Sequence, residues 1–172
     1  MQTVEFKTLS VLLLLAVGLV PSRAQDVDAI IEGMNVRHIG PGAMSGRVTT
    51  IDVQRDRPEV IYIGTASGGL WRSVTAGVEW EPLFDDESTQ SIGALAIAPS
   101  NPDVIWVGTG EGNPRNSHSS GRGVYRSING GATWEFMGLE GTRNIHRIIV
   151  HPTDHLTIWV GAIGTAWGDS PD

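Results

Sequence analysis

An all-β fold is the expectation for this chain, and three features of the sequence predict it. Its 172 residues include 22 glycines and 9 prolines among many Val, Ile, Thr and Trp, the composition of short strands joined by tight turns. An aliphatic–aromatic–aliphatic–Gly run occurs three times, in PEVIYIGT (58–65), PDVIWVGT (102–109) and HLTIWVGA (155–162), at offsets of 44 and 53. The octet SINGGATW (127–134) has a looser copy 54 positions earlier, SVTAGVEW (73–80). Self-similarity at this spacing, with four strand-like runs in each unit, predicts a β-propeller whose blades are four-stranded antiparallel sheets.

The first 24 residues stand apart from that fold. Lys7 lies in a polar lead, Leu9 to Val20 is almost unbroken apolar sequence, and Ser22-Arg23-Ala24 places small residues at −3 and −1. This is the build of a secretory signal peptide cut after Ala24, and the apolar run is short of the ~20 residues that span a bilayer. Residues 1–24 are therefore read as a signal peptide. The protein is expected to be secreted, or held in the periplasm or outer cell envelope, with no membrane span once the signal is removed. The formal net charge of −7 becomes −8 when the leader takes away a net +1. No basic cluster offsets that charge, so nucleic acid is not an expected partner. The absence of cysteine means that an exported fold here relies on burial instead of disulfides.

Residues 25–42 contain MNVRHIGPG (34–42), which has no partner among the repeats and is expected to supply a ring-closing outer strand. The first blade, 43–90, comprises RVTTIDV (47–53), PEVIYIGT, GLWRS (69–73) and the strand opened by WEPL. Residues 91–143 repeat the pattern with SIGALAIA (91–98), PDVIWVGT, GVYRS (123–127) and WEFM. A third blade begins at 144 with NIHRIIVHP (144–152) and HLTIWVGA, giving about two and a half blades by residue 172. Propellers typically close with about four to eight, so the chain is expected to be the start of a longer gene product. The second strands are apolar at consecutive positions, as strands buried on both faces are. The first halves of the two full units lie 44 residues apart and the second halves 54, which places an insertion of ten between the second and third strands of blade two.

The two octets belong in the hairpins between third and fourth strands. SINGGATW fits the Asp-box, Ser-x-Asp-x-Gly-x-Thr-Trp, with Asn129 in the Asp position. Ser127 and Asn129 are expected to bond the turn's own backbone, Gly131 to take a conformation other residues avoid, Thr133 to enter the returning strand and Trp134 to pack under the turn. The worn copy keeps Ser73, Gly77 and Trp80. These octets are expected to staple the fold. Arg72 and Arg126, each after an aromatic residue in a third strand, are expected to pack between blades.

With the Asp-box and blade pattern established, the chain resembles the Asp-box (BNR-repeat) propellers of the sortilin/VPS10-like group and of xyloglucanase-like glycoside hydrolases, architectures of the YVTN/WD40-like kind. It is most similar to exported bacterial proteins of the sortilin N-terminal-like, "glycosyl hydrolase" type, through RHIGPGAMSGRV and VGTGEGNPRNS. The resemblance covers residues 34–172 and implies a large exported propeller whose central face receives a glycan or a peptide. In the xyloglucanase-like enzymes a catalytic carboxylate lies in a Thr-Asp-x-Gly-Gly-x-aromatic-Arg run. The matching run here is TASGGLWR (65–72), where Gly68, Gly69, Trp71 and Arg72 agree and Ala66 takes the Asp position. A methyl group cannot act as acid, base or nucleophile, and glycoside hydrolysis normally uses two carboxylates.

The ligand-binding candidates are Glu111, Asn113, Arg115, Asn116 and His118 on the inserted loop, with Arg37, His38 and Arg47 among the glycines near the start. Glu111 is the one carboxylate offered as an acid. His146, His151 and His155 have ligand-like spacing, but they fall on a strand and at the two ends of a turn, so no metal and no cofactor is expected. Two functions stay open: a propeller that binds a peptide or glycan without chemistry from this segment, and a glycoside hydrolase whose catalytic residues lie partly outside it.

Overall fold

The computed structural model describes residues 47–113 and 119–163. The leader, the segment 25–42 with Arg37 and His38, and Arg115, Asn116 and His118 of the insertion lie outside the described residues.

The described chain is a partial β-propeller. Its first sheet contains β1 (Val48–Val53), β2 (Ile61–Thr65), β3 (Leu70–Ser73) and β4 (Glu81–Pro82), paired antiparallel in that order. The second contains β5 (Ile92–Ile97), β6 (Ile105–Thr109), β7 (Val124–Ser127) and β8 (Glu135–Gly138) in the same order. The third pairs β9 (Ile145–Val150) with β10 (Ile158–Ala162). The three aromatic-bearing runs form β2, β6 and β10 and so fall in three separate sheets. The inner strands β1, β5 and β9 pack side by side across sheets.

Register makes the repeat exact at the backbone. Val48, Ile92 and Ile145 occupy one position, opposite Thr65, Thr109 and Ala162, and a bulge follows in each copy at Thr49, Gly93 and His146. Equivalent residues differ sharply in burial. Ile92 and Ile145 are 0% exposed where Val48 is 50%, and Tyr62 and Trp106 are 1% and 3% exposed where Trp159 is 54%. Neighbouring sheets cover the interior copies, so the core is made of seams between blades.

The first seam gathers Tyr62 and Leu70 of the first sheet with Ile92, Ile105 and Tyr125 of the second, around Phe84. Phe84 meets Tyr125 and Trp134 edge-on, with centroids 5.2 and 5.1 Å apart. The second seam joins Trp106, Val104 and Val124 to Ile145, Ile148 and Val150. Each fully buried Leu, Ile or Phe contributes roughly 1.5–3 kcal/mol, so stability grows blade by blade along the seams.

The Asp-box hairpins close β3 to β4 and β7 to β8. Ser127 Oγ accepts from Gly131 N at 2.8 Å and donates to Asn129 Oδ1, which also accepts from Thr133 N at 2.9 Å. Asn129 Nδ2 donates to Thr133 Oγ1 at 2.8 Å. Gly131 has φ +92°, a conformation that strains other residues. In the worn copy Ser73 Oγ accepts from Gly77 N, and Thr75 Oγ1 takes the Asn129 role by accepting from Glu79 N at 2.8 Å. Trp80 bonds its own turn at Gly77 O, whereas Trp134 reaches across the seam to Leu83 O. Replacing Asn129 with Ala is expected to cost about 1–2 kcal/mol, because the Thr133 amide and the Ser127 hydroxyl lose their partner. Asn129→Asp keeps both, since the Thr133 hydroxyl can turn to donate, and thermal unfolding should shift by less than about 0.5 kcal/mol.

Arg72 reaches across the first seam, whereas Arg126 pairs with Glu135 and packs over Trp106 within its own sheet. Arg72 Nη1 donates to Gly130 O of the next blade at 2.8 Å, beside the Tyr62 hydroxyl at 3.2 Å, while Nε pairs with Glu81 at 2.7 Å. Burial works against the Arg72 charge, but hydrogen bonds to Glu81 and Tyr62 outweigh it and raise its pKa above the ordinary value.

Candidate functional site

One end of the inner strands brings the three sheets together. The residues that precede these strands, Arg47, Ser91 and Asn144, accept equivalent backbone hydrogen bonds: Ala66 N to Arg47 O at 2.9 Å, Gly110 N to Ser91 O at 2.8 Å, and Ile163 N to Asn144 O at 3.0 Å. The turns after second strands therefore come to this end in every copy. In the short copy, Thr65 Oγ1 accepts from Gly68 N and donates to Gly69 O. In the copy that carries the insertion, Thr109 Oγ1 accepts from Arg122 N and donates to Gly123 O. The insertion thus leaves from and returns to an unchanged threonine brace. Both threonines are 0% exposed.

The stem of the insertion runs across all three blades. Glu111 N donates to Ser119 O and to Ser91 Oγ, both at 3.1 Å, and Ser91 Oγ donates to Ser119 O at 3.0 Å. The Glu111 carboxylate forms an ion pair with Arg47 of the first blade. Gly112 presses on His146 of the third blade so closely that a Cβ would run into the imidazole. Among the sequence candidates, the structure brings Arg47 and Glu111 into contact and leaves Asn113 partly buried beside them.

Burial distinguishes the two charged candidates that meet. Glu111 is 1% exposed and held by a guanidinium, while the Arg47 side chain is 38% exposed. In this position the carboxylate links the first and second blades through its ion pair with Arg47, as a cross-blade clamp. Ala66 is buried at 5% exposure, its methyl enclosed by the turn. Ser91, Thr65 and Thr109 shape the site without being among the sequence candidates. Their signal was a threonine closing both IGT and VGT, and a small polar residue opening an otherwise apolar inner strand.

Beside this clamp, the inner strands line a groove of about 500 Å3, within the usual range of about 300–1,000 Å3 for ligand sites. Thr50, Asp52, Arg55, His146 and Arg147 contribute polar groups to it. Asp52 is already committed, its Oδ2 accepting from Ile97 N at 2.8 Å. A second cavity of about 560 Å3 lies between residues 85–87 and the Asp-box turn at 131–134, where burial, with Asp86 adjacent, raises the Glu87 pKa. His151 caps its turn through Nδ1, which accepts from Asp154 N at 3.1 Å. Among the described residues no group of three or more His, Asp or Glu converges as a metal site, and no helix is long and apolar enough to cross a membrane.

No family model matches the chain. Among curated proteins, a xyloglucanase from Paenibacillus sp is 29% identical over 140 residues, covering 73% of this chain and 13% of the relative. A xyloglucanase from Acetivibrio thermocellus is 32% identical over 112 residues, covering 55% of this chain and 13% of the relative. The chain thus spans 13% of the length of these relatives. Among solved structures, an ancestral GH74 enzyme aligns with TM-score 0.57 and 23% identity over 68% of this chain and 16% of its own. The GH74 enzyme of Niastella koreensis aligns with TM-score 0.51 and 20% identity over 69% and 17%. At these identities the solved structures support the propeller fold.

Proposed function

We propose that this chain is part of an exported glycoside hydrolase of xyloglucanase-like type, in which the inner strands hold a β-glucan chain and catalytic carboxylates come from outside the described residues. The observation that carries the reading is the polar inner-strand groove of about 500 Å3, open beside the cross-blade clamp. Threonine, arginine and histidine side chains suit a ligand rich in hydroxyl groups, which needs many moderate hydrogen bonds. The likeness to xyloglucanases points the same way. Arg55 and Arg147 are substrate-positioning groups in this reading, and Glu111 preserves the shape of the site.

The second reading is a sortilin-like propeller that binds a glycan or peptide without chemistry. Ala66 favours it, because the first-blade position has no carboxylate to offer. The test is hydrolysis of xyloglucan by the gene product that carries these residues, with binding measured in parallel. The expected result is release of oligosaccharides, with Arg147→Ala raising KM about 3–10-fold at unchanged kcat, the loss of one hydrogen bond made equally in ground and transition states. Binding without turnover replaces the first reading with the second. Absence of both rejects the two together.

A further inference from the structure

We infer that Asn129-Gly130 is a latent deamidation site, which the folded Asp-box hairpin holds closed and which reacts only when the hairpin opens. The inference is independent of the glycan reading. Asparagine is chemically labile, and a following glycine has no Cβ to keep its nitrogen away from the side-chain amide. This is the one Asn-Gly pair in the sequence, and it lies where the Asp-box pattern has Asp. The first box carries Thr75-Ala76 at the same place, with no amide to lose.

Water is the only co-reactant. The Gly130 nitrogen gives up its proton to solvent and attacks Asn129 Cγ, so that the N–Cγ bond forms, the Cγ–Nδ2 bond breaks and ammonia leaves. Water then opens the five-membered imide. Cleavage of the new N–Cγ bond gives aspartate, and cleavage of the bond to the main-chain carbonyl gives isoaspartate. Asn129 is exposed, so its protection is geometric. Gly130 N donates to Asp103 O at 2.9 Å, which turns the nucleophile toward the β5–β6 turn. Asn129 Oδ1 accepts from Ser127 Oγ and Thr133 N, each at 2.9 Å, and Nδ2 donates to Thr133 Oγ1 at 2.8 Å. Gly130 O is fixed as well, accepting from the Tyr62 hydroxyl and Arg72 Nη1. Ring closure breaks the bonds on both reacting groups together, which requires local opening. The two products then differ. Aspartate keeps the acceptor for Thr133 N and Ser127 Oγ, whereas isoaspartate lengthens the main chain by one carbon and shifts Gly130 O from Arg72.

The test incubates the gene product that carries these residues at mildly alkaline pH, folded in buffer and unfolded in guanidinium chloride. Asn129 is followed by mass spectrometry of the tryptic peptide 127–143. Deamidation is expected to be at least about tenfold slower in the folded protein. Ser127→Ala, which takes one bond from Asn129 Oδ1, is expected to speed the folded-state reaction severalfold. If Ser127→Ala fails to fold by circular dichroism, Thr133→Val takes its place by removing the acceptor of Nδ2. Gly130→Ala is the chemical control. Ala76 holds the equivalent position at φ +54°, and the added Cβ should slow the unfolded-state reaction severalfold. After refolding, isoaspartate molecules should be depleted severalfold relative to aspartate ones. Equal rates in folded and unfolded protein, or an unchanged rate in the folded Ser127 or Thr133 variant, overturns the inference. Refolding of both products in equal yield overturns their separate fates.

Discussion

Replacing Arg47 with methionine is expected to lower stability by about 3 kcal/mol, while Glu111→Gln at the other end of the same ion pair costs only about 1 kcal/mol. The asymmetry follows from burial. Without Arg47, a carboxylate that is 1% exposed remains in the seam with no cation paired to it among the described residues, and breaking a buried pair in this way typically costs about 3–5 kcal/mol. The lower end applies because Arg47 itself is 38% exposed and the pair is partly hydrated. Without the Glu111 charge, the guanidinium can turn to water, and the amide keeps the volume of the side chain. The Glu111 backbone is tied to Ser91 and Ser119 in both variants, so the loop stem stays in place. The double variant Arg47→Met/Glu111→Gln should be more stable than Arg47→Met alone, a coupling that a double-mutant cycle isolates. Urea denaturation of the four proteins is the measurement. Equal losses for the two single variants would show that the buried carboxylate does not dominate the energetics.

Gly93→Ala is expected to have a larger effect, at least about 4 kcal/mol or outright failure to fold. A Cβ at Gly93 would run into the carbonyl oxygens of Gly110, at the stem of the insertion in its own blade, and of Ile145 in the third blade, both of them backbone atoms. Relief would require opening the second seam, since close-packed interiors move only collectively. The same bulge position accepts Thr49 in the first copy and His146 in the third. There Thr49 Oγ1 turns to Gly64 O and to Ile92 O at 2.6 Å, where no inserted loop crosses. Glycine is required only where the stem of the insertion passes. Gly141→Ala is the control: a Cβ there meets nothing within 4 Å, and its effect should stay within about 0.5 kcal/mol. Thermal unfolding and soluble yield read both variants, and a mild Gly93→Ala would mean that the blades separate more easily than their contacts suggest.

The strands were legible because each copy writes the same short text. VIYIG, VIWVG and TIWVG are apolar at consecutive positions, the mark of a strand covered on both faces, and β2, β6 and β10 fall on them. The hairpin octets were legible for a different reason. Ser, Asn and Gly at fixed offsets satisfy a turn from within, so Ser127, Asn129 and Gly131 needed no partner from elsewhere to declare their role. Even the worn octet keeps its bonds, because Thr75 offers an oxygen where Asn129 does. The site was less legible. Glu111 and Arg47 are 64 positions apart, and no local pattern distinguishes a buried, paired glutamate from one on a solvated loop.

The order of strands, the four-stranded unit, the hairpin staples and the place of the insertion were thus determined by sequence alone, since each depends on contacts among residues near in the chain or on a pattern repeated along it. Tertiary structure alone decided which copies of a residue are covered, that Trp159 is exposed where Tyr62 and Trp106 are not, and that Glu111 clamps Arg47. Those outcomes depend on which blade stands next to which. Burial and pairing between blades come from neighbours brought together when the sheets pack side by side, and a residue carries no local mark of the neighbour it will meet.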